Sequence, residues 1–259
     1  MESCAASASG KADVTPGLYG LFCASFRYRR VEAELVEYFT VSTRDKNVTT
    51  FSNDDSRVND GGEMPVIFLV GMRGSGKTTL GRALAARLGW LFADTDEMLC
   101  ARCGKSISEI VQQEGWAGFR KRETALLHDV SRPYTVVATG GGMILKEENR
   151  RFMKETGFCC YLEAPADLLA RRLRDDPKDA QRPPLKTGIE TLVGGDPLRV
   201  ELLALLRERD GLYKKAAHRR INVNQPLERT IEALENAVQD FVQQYHQKDS
   251  QSEASEAVK

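Results

Sequence analysis

The chain has 259 residues, with 37 lysines and arginines against 37 aspartates and glutamates, so its formal net charge is zero. That length is enough for one sizeable core with a small appendage, and a neutral chain without a basic block offers no footprint for nucleic acid. No apolar run approaches the ~18 residues that span a bilayer, and six cysteines without a framework spacing suit a reduced, cytoplasmic setting.

Residues 1–64 differ from the rest. "MESCAASASGKADVTPG" is small and polar, "RVEAELVEYF" has the pattern of a short helix, and "STRDKNVTTFSNDDSRVNDGGEM" has linker composition. The first thirty residues carry four basic and two acidic residues among serines and alanines, faintly like an organelle transit peptide, though Glu2 and Asp13 count against it. The segment reads as a low-complexity or disordered extension. Met64, directly before the first apolar run, reads as the place where the working domain begins.

From residue 65 the pattern alternates. "VIFLV" (66–70), "WLFA" (90–93), "TVVAT" (135–139), "FCCYL" (158–162) and "RINV" (220–223) are short buried strands. Between them lie helical stretches: residues 77–88, a run opened by the capping box Ser106-x-x-Glu109, then "GFRKRETALLHDV", "EENRRFMKE", "ADLLARRLR" and "RVELLALLRERDGLYKKAA". "LERTIEALENAVQDFVQQY" closes the domain near residue 245, and 246–259 reads as a polar, disordered tail. Alternation of this kind predicts an α/β fold, a parallel five-stranded sheet covered on both faces.

"VIFLVGMRGSGKTTLGRALA" (66–85) is a strand, a glycine-rich turn and a helix. Gly71-x-x-x-x-Gly76-Lys77-Thr78 has the spacing of a triphosphate cradle: the glycines let backbone N–H groups face phosphate oxygens, and the helix adds its positive end. Lys77 would reach the β- and γ-phosphates, and the Thr78 hydroxyl would serve Mg²⁺. The second strand runs into "ADTDE". Asp94 and Asp96 lie two apart at a carboxyl end, facing one side if the chain stays extended, where one carboxylate can serve Mg²⁺ and the other hold a hydroxyl. The same pattern is equally a helix cap.

The third strand runs into "ATGGGM", a costly glycine run that is either a tight turn or a place where backbone touches a ligand. Arg120 and Glu123 share a helical face, a spacing more often a surface ion pair than a site. Arg182 sits in the proline-bracketed "QRPPL", and Arg209 near the end of a long helix. Cys100-x-x-Cys103 has no second Cys/His pair to complete a zinc site, and reads as two thiols on a short helix.

In chain order, "PVIFLVGMRGSGKTTLG", "LFADTD", "EIVQQEGWAGFRKRET", "VVATGGGMIL", "NRRFM", "RPPLKTG" and "ERDGLYKKAAH" closely resemble the motifs of the shikimate kinases, most of all the bacterial type II form. The resemblance spans residues 65–245. It implies the three-layer α/β/α P-loop fold of the nucleoside-monophosphate-kinase-like group, and transfer of a phosphoryl group from ATP to the 3-hydroxyl of shikimate with Mg²⁺. It also implies a role for each matching residue. Gly74, Ser75, Gly76, Lys77, Thr78 and Thr79 hold the phosphates, and Asp94 with Thr78 places Mg²⁺. Asp96 holds the acceptor hydroxyl and is the base. Arg120 and Arg209 bind the substrate carboxylate, with Gly140, Gly141 and Gly142 closing against the ring. Arg182, on a lid at about 175–200, reaches the transferring phosphates. Arg172 and the "NQP" turn at 224–226 lie near the adenine, and Glu123 partners Arg120. The family expectation is a monomer that works without nucleic acid or membrane.

The chain departs from the family pattern in a longer stretch between Arg182 and Arg209, in residues 1–64, and in Gly115 before Trp116. Two rivals are another small-metabolite P-loop kinase, acting on gluconate or a nucleoside monophosphate, and a catalytically silent kinase-like domain. "ATGGGM" with Arg120 and Arg209 argues against the first, and the retention of Lys77, Asp96 and the arginines against the second.

Overall fold

Val66–Val70 (β1) is buried at every position, as a strand must be when both faces of its sheet are covered. It is the middle of five strands in the order β2-β3-β1-β4-β5, where β2 is Leu91–Asp94, β3 Thr135–Ala138, β4 Gly157–Glu163 and β5 Arg219–Asn222. Every pairing is parallel: Phe68 faces Val137 on one side and Cys159 on the other. β2 and β5 close the edges against β3 and β4. This computed structural model describes residues 65–176 and 196–256.

The helices are α1 (Lys77–Leu88), α2 (Thr95–Cys103), α3 (Ile107–Val130), α4 (Glu147–Thr156), α5 (Ala166–Arg174), α6 (Pro197–Ala216) and α7 (Leu227–Glu256). A single 3₁₀ turn, Met143–Leu145, precedes α4. α1 packs on β2, β3 and α7, while α4 and α6 pack on β4 and each other, so the sheet lies between two helical layers. The three-layer α/β/α fold is therefore the one expected. α1 and α5 have the predicted bounds, and each strand matches its apolar run to within a residue at either end.

Burial explains the strand runs. Ile67, Phe68, Leu69, Val136, Val137, Phe158, Cys159 and Cys160 are all essentially solvent-free, each large apolar side chain stabilising the fold by about 1.5–3 kcal/mol. Burial also pushes the Cys159 and Cys160 thiols up, which keeps them un-ionised core groups. β5 sits at the edge and exposes Arg219 and Arg220.

The C-terminal expectation differs. α7 runs on to Glu256, where composition predicted an unstructured tail from 246. The segment 246–256 contains no glycine or proline, and its Lys, Gln, Glu and Ala are good helix formers that extend a turn already docked. Residues 1–64, Arg182 and most of the expected lid at 175–200 lie outside the described residues. No helix among the described residues is long and apolar enough to cross a membrane.

Candidate active site

The cradle begins where β1 ends. Gly74 and Gly76 adopt φ of 79° and 92°, a left-handed region that other residues enter only at a cost. The Ser75 N–H donates to the Met72 carbonyl at 3.1 Å, closing the turn. Lys77 curls back over the loop and donates through Nζ to the Gly71 and Met72 carbonyls, 2.9 Å each. The first turn of α1 holds no acidic residue, and among the described residues Gly76 gives it no side-chain cap. Its N–H groups and positive end thus face the loop, the arrangement that takes an anion. Thr79 is exposed in that turn. The Ser75 hydroxyl is buried without a partner among the described residues.

Arg172 of α5 reaches the same loop. One guanidinium nitrogen lies 3.3 Å from the Gly74 and Ser75 carbonyls, the other 3.2 Å from the Val223 carbonyl. Beside it an open cavity of about 340 Å³ is bounded by Leu168, Asp175, Asn224 and Gln225. Arg172 and residues 224 and 225, expected beside adenine, line this one hollow.

Asp94 and Asp96 do not share one side of an extended chain. The chain turns helical directly after β2, and Asp94 caps α2: its Oδ1 accepts from the Asp96 and Glu97 N–H groups at 3.0 and 3.2 Å. Its other oxygen accepts the Thr78 hydroxyl at 2.6 Å. The cap reading of this carboxylate is thus met, and its other oxygen is turned to the first turn of α1. Asp96, in the first turn of α2, is directed instead at the glycine turn after β3. A Cβ on Gly140 would stand 2.6 Å from Asp96 Oδ1 and 2.8 Å from Glu123 Oε1. Only glycine leaves room for two carboxylates there. The Gly140 N–H donates to Thr95 Oγ1 at 2.8 Å, which fixes the turn against α2.

Arg120 and Glu123 are no surface pair. They form an ion pair with side-chain exposures of 17% and 3%. Burial pushes the Glu123 carboxyl up to about 7; the Arg120 charge and hydrogen bond oppose this, and the Asp96 charge adds to it. The Arg120 guanidinium lies over the rings of Trp116 and Phe119, 5.4 and 5.2 Å from their centroids. It also fills the space where a Cβ of Gly142 would be.

Arg209 approaches from α6. Its Nε is buried without a hydrogen-bond partner among the described residues, a donor for which those residues supply no acceptor. One turn on, the buried Tyr213 hydroxyl donates to the Gly141 carbonyl at 2.5 Å and touches Met72 Sδ at 3.5 Å. The charges of Arg209 and Arg120 both act on that hydroxyl, against the burial that raises it. A Cβ on Gly141 would lie 3.5 Å from the Gly71 carbonyl and the Arg73 N–H. The triglycine turn therefore touches the cradle on one side and Asp96, Glu123 and Arg120 on the other.

Tyr213, Thr95 and Met72 are the residues that sequence reasoning missed. Tyr213 had a signal: it follows Arg209 by four in "RDGLY", and so shares its helical face. Thr95 and Met72 had none, because their parts depend on how β1, α2 and the glycine turn meet.

A parallel sheet with a P-loop at its central strand, acidic groups at the carboxyl end of β2 and two arginines converging beyond it defines a P-loop kinase of a small acceptor. The family model described as shikimate kinase matches residues 73–246. Shikimate kinase 2 of Serratia proteamaculans (strain 568) is 47% identical over 173 residues, covering 67% of this chain and 95% of that protein. Shikimate kinase 2 of Sodalis glossinidius (strain morsitans) is 48% identical over 168 residues, covering 65% and 92%. Among solved structures, the shikimate kinase from Acinetobacter baumannii in complex with shikimate is 37% identical, with a TM-score of 0.55, and covers 73% of this chain and 94% of its own. The shikimate kinase from Bacteroides thetaiotaomicron is 32% identical, with a TM-score of 0.59, covering 68% and 99%. The chain belongs to the shikimate kinase family, whose members are phosphotransferases with ATP as co-substrate.

Proposed function

We propose that the chain transfers the γ-phosphoryl group of ATP to the 3-hydroxyl of shikimate, giving shikimate 3-phosphate and ADP on the route to chorismate and the aromatic amino acids. The observation that carries this is the glycine turn at 140–142, where a side chain would meet the cradle backbone from Gly141 and run into Asp96 or Arg120 from Gly140 and Gly142. In this reading the donor half and the acceptor half meet at that turn.

Each residue has a share in the chemistry, which asks mainly for positioning and charge neutralisation. Gly74, Ser75, Gly76, Lys77, Thr78 and Thr79 cradle the phosphates, with Lys77 leaving its carbonyl partners to meet the triphosphate. Asp96 holds the acceptor hydroxyl and takes its proton as the oxygen attacks phosphorus. Arg120 and Arg209 grip the acceptor carboxylate as planar, bidentate donors; the Arg209 Nε, unpartnered among the described residues, is one such donor. Gly140, Gly141 and Gly142 admit the ring. Arg172 lies beside the adenine. Arg182 closes over the transferring phosphates and excludes water.

Mg²⁺ belongs to this reading. The Thr78 hydroxyl and the Asp94 carboxylate, 2.6 Å apart at the mouth of the cradle, are the hard oxygen donors that suit it. They would hold it directly or through water, and when bound it neutralises charge on the phosphates. Residues 65–245 are proposed as the catalytic unit of a cytoplasmic monomer. Shikimate and ATP are the proposed partners, and the balanced 37 acidic and 37 basic residues offer no basic footprint for nucleic acid.

The test is ADP release by the full chain with shikimate, gluconate and nucleoside monophosphates in parallel. Turnover with shikimate alone is the expected result. Equal or faster turnover with either of the others would overturn the assignment.

A further inference from the structure

α3 is broken in its middle. Gly115 has φ 69° and ψ 173° inside an otherwise helical run, so residues 107–114 and 116–130 are two helical pieces set at an angle. Trp116 follows the break directly and Arg120 lies one turn further on, its guanidinium over the Trp116 ring. The angle of the break therefore decides where both side chains stand.

Three residues bridge it. Glu114, before the break, accepts two parallel hydrogen bonds from Arg122, beyond it: Nε and a terminal nitrogen each lie 2.8 Å from a different carboxylate oxygen. Gly118 makes room for the crossing, since a Cβ there would stand 2.6 Å from the Glu114 Cβ. The other terminal nitrogen of Arg122 lies 3.8 Å from Sγ of Cys103, the last residue of α2, the helix that carries Asp96. Arg102, its neighbour, pairs with Asp129 at 2.5 Å and fastens α2 to the far end of α3.

The Glu114 and Arg122 side chains are 34% and 47% exposed, and ion pairs so exposed add little to stability. A bidentate pair fixes direction as well as distance. We propose that Glu114, Gly118 and Arg122 form a clasp across the Gly115 break that sets Arg120 and Trp116 against the acceptor, making them positioning residues for acceptor binding. The proposal rests on shikimate being the acceptor.

The experiment is a double-mutant cycle on the full chain: Glu114→Gln, Arg122→Gln and both together, with Gly118→Ala as an independent probe. Each is read as kcat, as KM for shikimate and for ATP, and as a thermal midpoint. Each single change raises the KM for shikimate about fivefold, the factor that ~1 kcal/mol of an exposed pair can transmit. kcat, KM for ATP and the midpoint stay near wild type. The double variant is no worse than either single one, because the clasp is already open. Gly118→Ala raises the same KM and, because its methyl would stand 2.6 Å from the Glu114 Cβ, alone of the single changes lowers the midpoint as well.

Multiplying effects in the double variant, or both KM values and the midpoint moving together, would overturn the clasp. So would unchanged shikimate KM in all four variants of an enzyme whose wild type turns over shikimate. A wild type inactive on shikimate would overturn the underlying acceptor assignment, and the clasp with it.

Discussion

Thr78 and Asp94 are joined by a 2.6 Å hydrogen bond from hydroxyl to carboxylate, which fastens the first turn of α1 to the end of β2. The second Asp94 oxygen caps α2, so one side chain carries two duties that substitution can separate. Asparagine caps a helix about as well as aspartate, whereas alanine loses roughly 1 kcal/mol. Asp94→Asn should keep the wild-type melting temperature but need more Mg²⁺ for half-maximal ADP release. Asp94→Ala should need more Mg²⁺ and also melt lower. Wild-type Mg²⁺ dependence in the asparagine variant would remove Asp94 from the metal.

Gly142→Ala separates fold from binding at the acceptor end. Gly142 has φ −100° and ψ 0°, which alanine adopts without strain. What stands in the way is the Arg120 guanidinium, the far end of a flexible side chain. The chain should fold with a stability change of about 1 kcal/mol or less, while the KM for shikimate rises roughly 10- to 100-fold, the worth of a charge-assisted hydrogen bond. The KM for ATP should hold. Steady-state kinetics with each substrate varied in turn checks this, and an unchanged shikimate KM would take Arg120 off the carboxylate.

The two substitutions fall on different sides of what the sequence makes legible. The cradle was readable because its function is local: a strand, glycines at fixed offsets and a lysine opening a helix are all set within one stretch of chain. α5 was readable because its apolar residues repeat at helical spacing and Pro165 precedes it. Asp94 was half readable, since a carboxylate two residues before another looks the same as a cap and as a ligand until the turn into α2 is seen. Spacing alone does not separate Arg120 and Glu123 from a surface pair, because an i, i+3 ion pair has no mark of burial. Burial comes from the glycine turn of β3, brought over the pair by sheet order. Tyr213 was overlooked because its partner, the Gly141 carbonyl, is far away in sequence.

Asp96→Asn tests the acceptor hydroxyl. Asparagine keeps the shape and the hydrogen-bonding oxygen but cannot take a proton. Turnover should fall by about 10²–10⁴, the usual contribution of a positioned base, with ATP binding close to wild type in a direct titration. A near-normal rate would mean that Asp96 holds the hydroxyl without accepting its proton.

Glu123 should leave a mark on stability against pH. Its carboxyl is raised from 4.5 to about 7, first by burial, so the folded chain binds a proton there that the unfolded chain has released. The stability this contributes is full below 4.5 and is lost as pH rises through about 7. Glu123→Gln carries no such proton. Between pH 5 and 8 the melting temperature of the variant should therefore gain on that of the wild type as pH rises. A constant offset across that range would show that Glu123 is ionised throughout.

Tyr213→Phe should loosen the turn that joins the two halves. The ring is wholly buried and stacks on Tyr161, with centroids 4.9 Å apart and planes 13° from parallel, so phenylalanine keeps the packing and loses only the hydroxyl. The Gly141 carbonyl then loses its 2.5 Å donor, at a cost of about 1–3 kcal/mol for a buried group left unpaired. Gly141 faces the cradle backbone while Gly140 and Gly142 face the acceptor residues, so both substrates should feel the change. KM for ATP and for shikimate should rise together, unlike the selective effect at Gly142, and denaturant melts should show the lost stability. A variant that loses stability but keeps both KM values would confine the hydroxyl to holding the fold, and leave the coupling of the two half-sites to the glycine backbone alone.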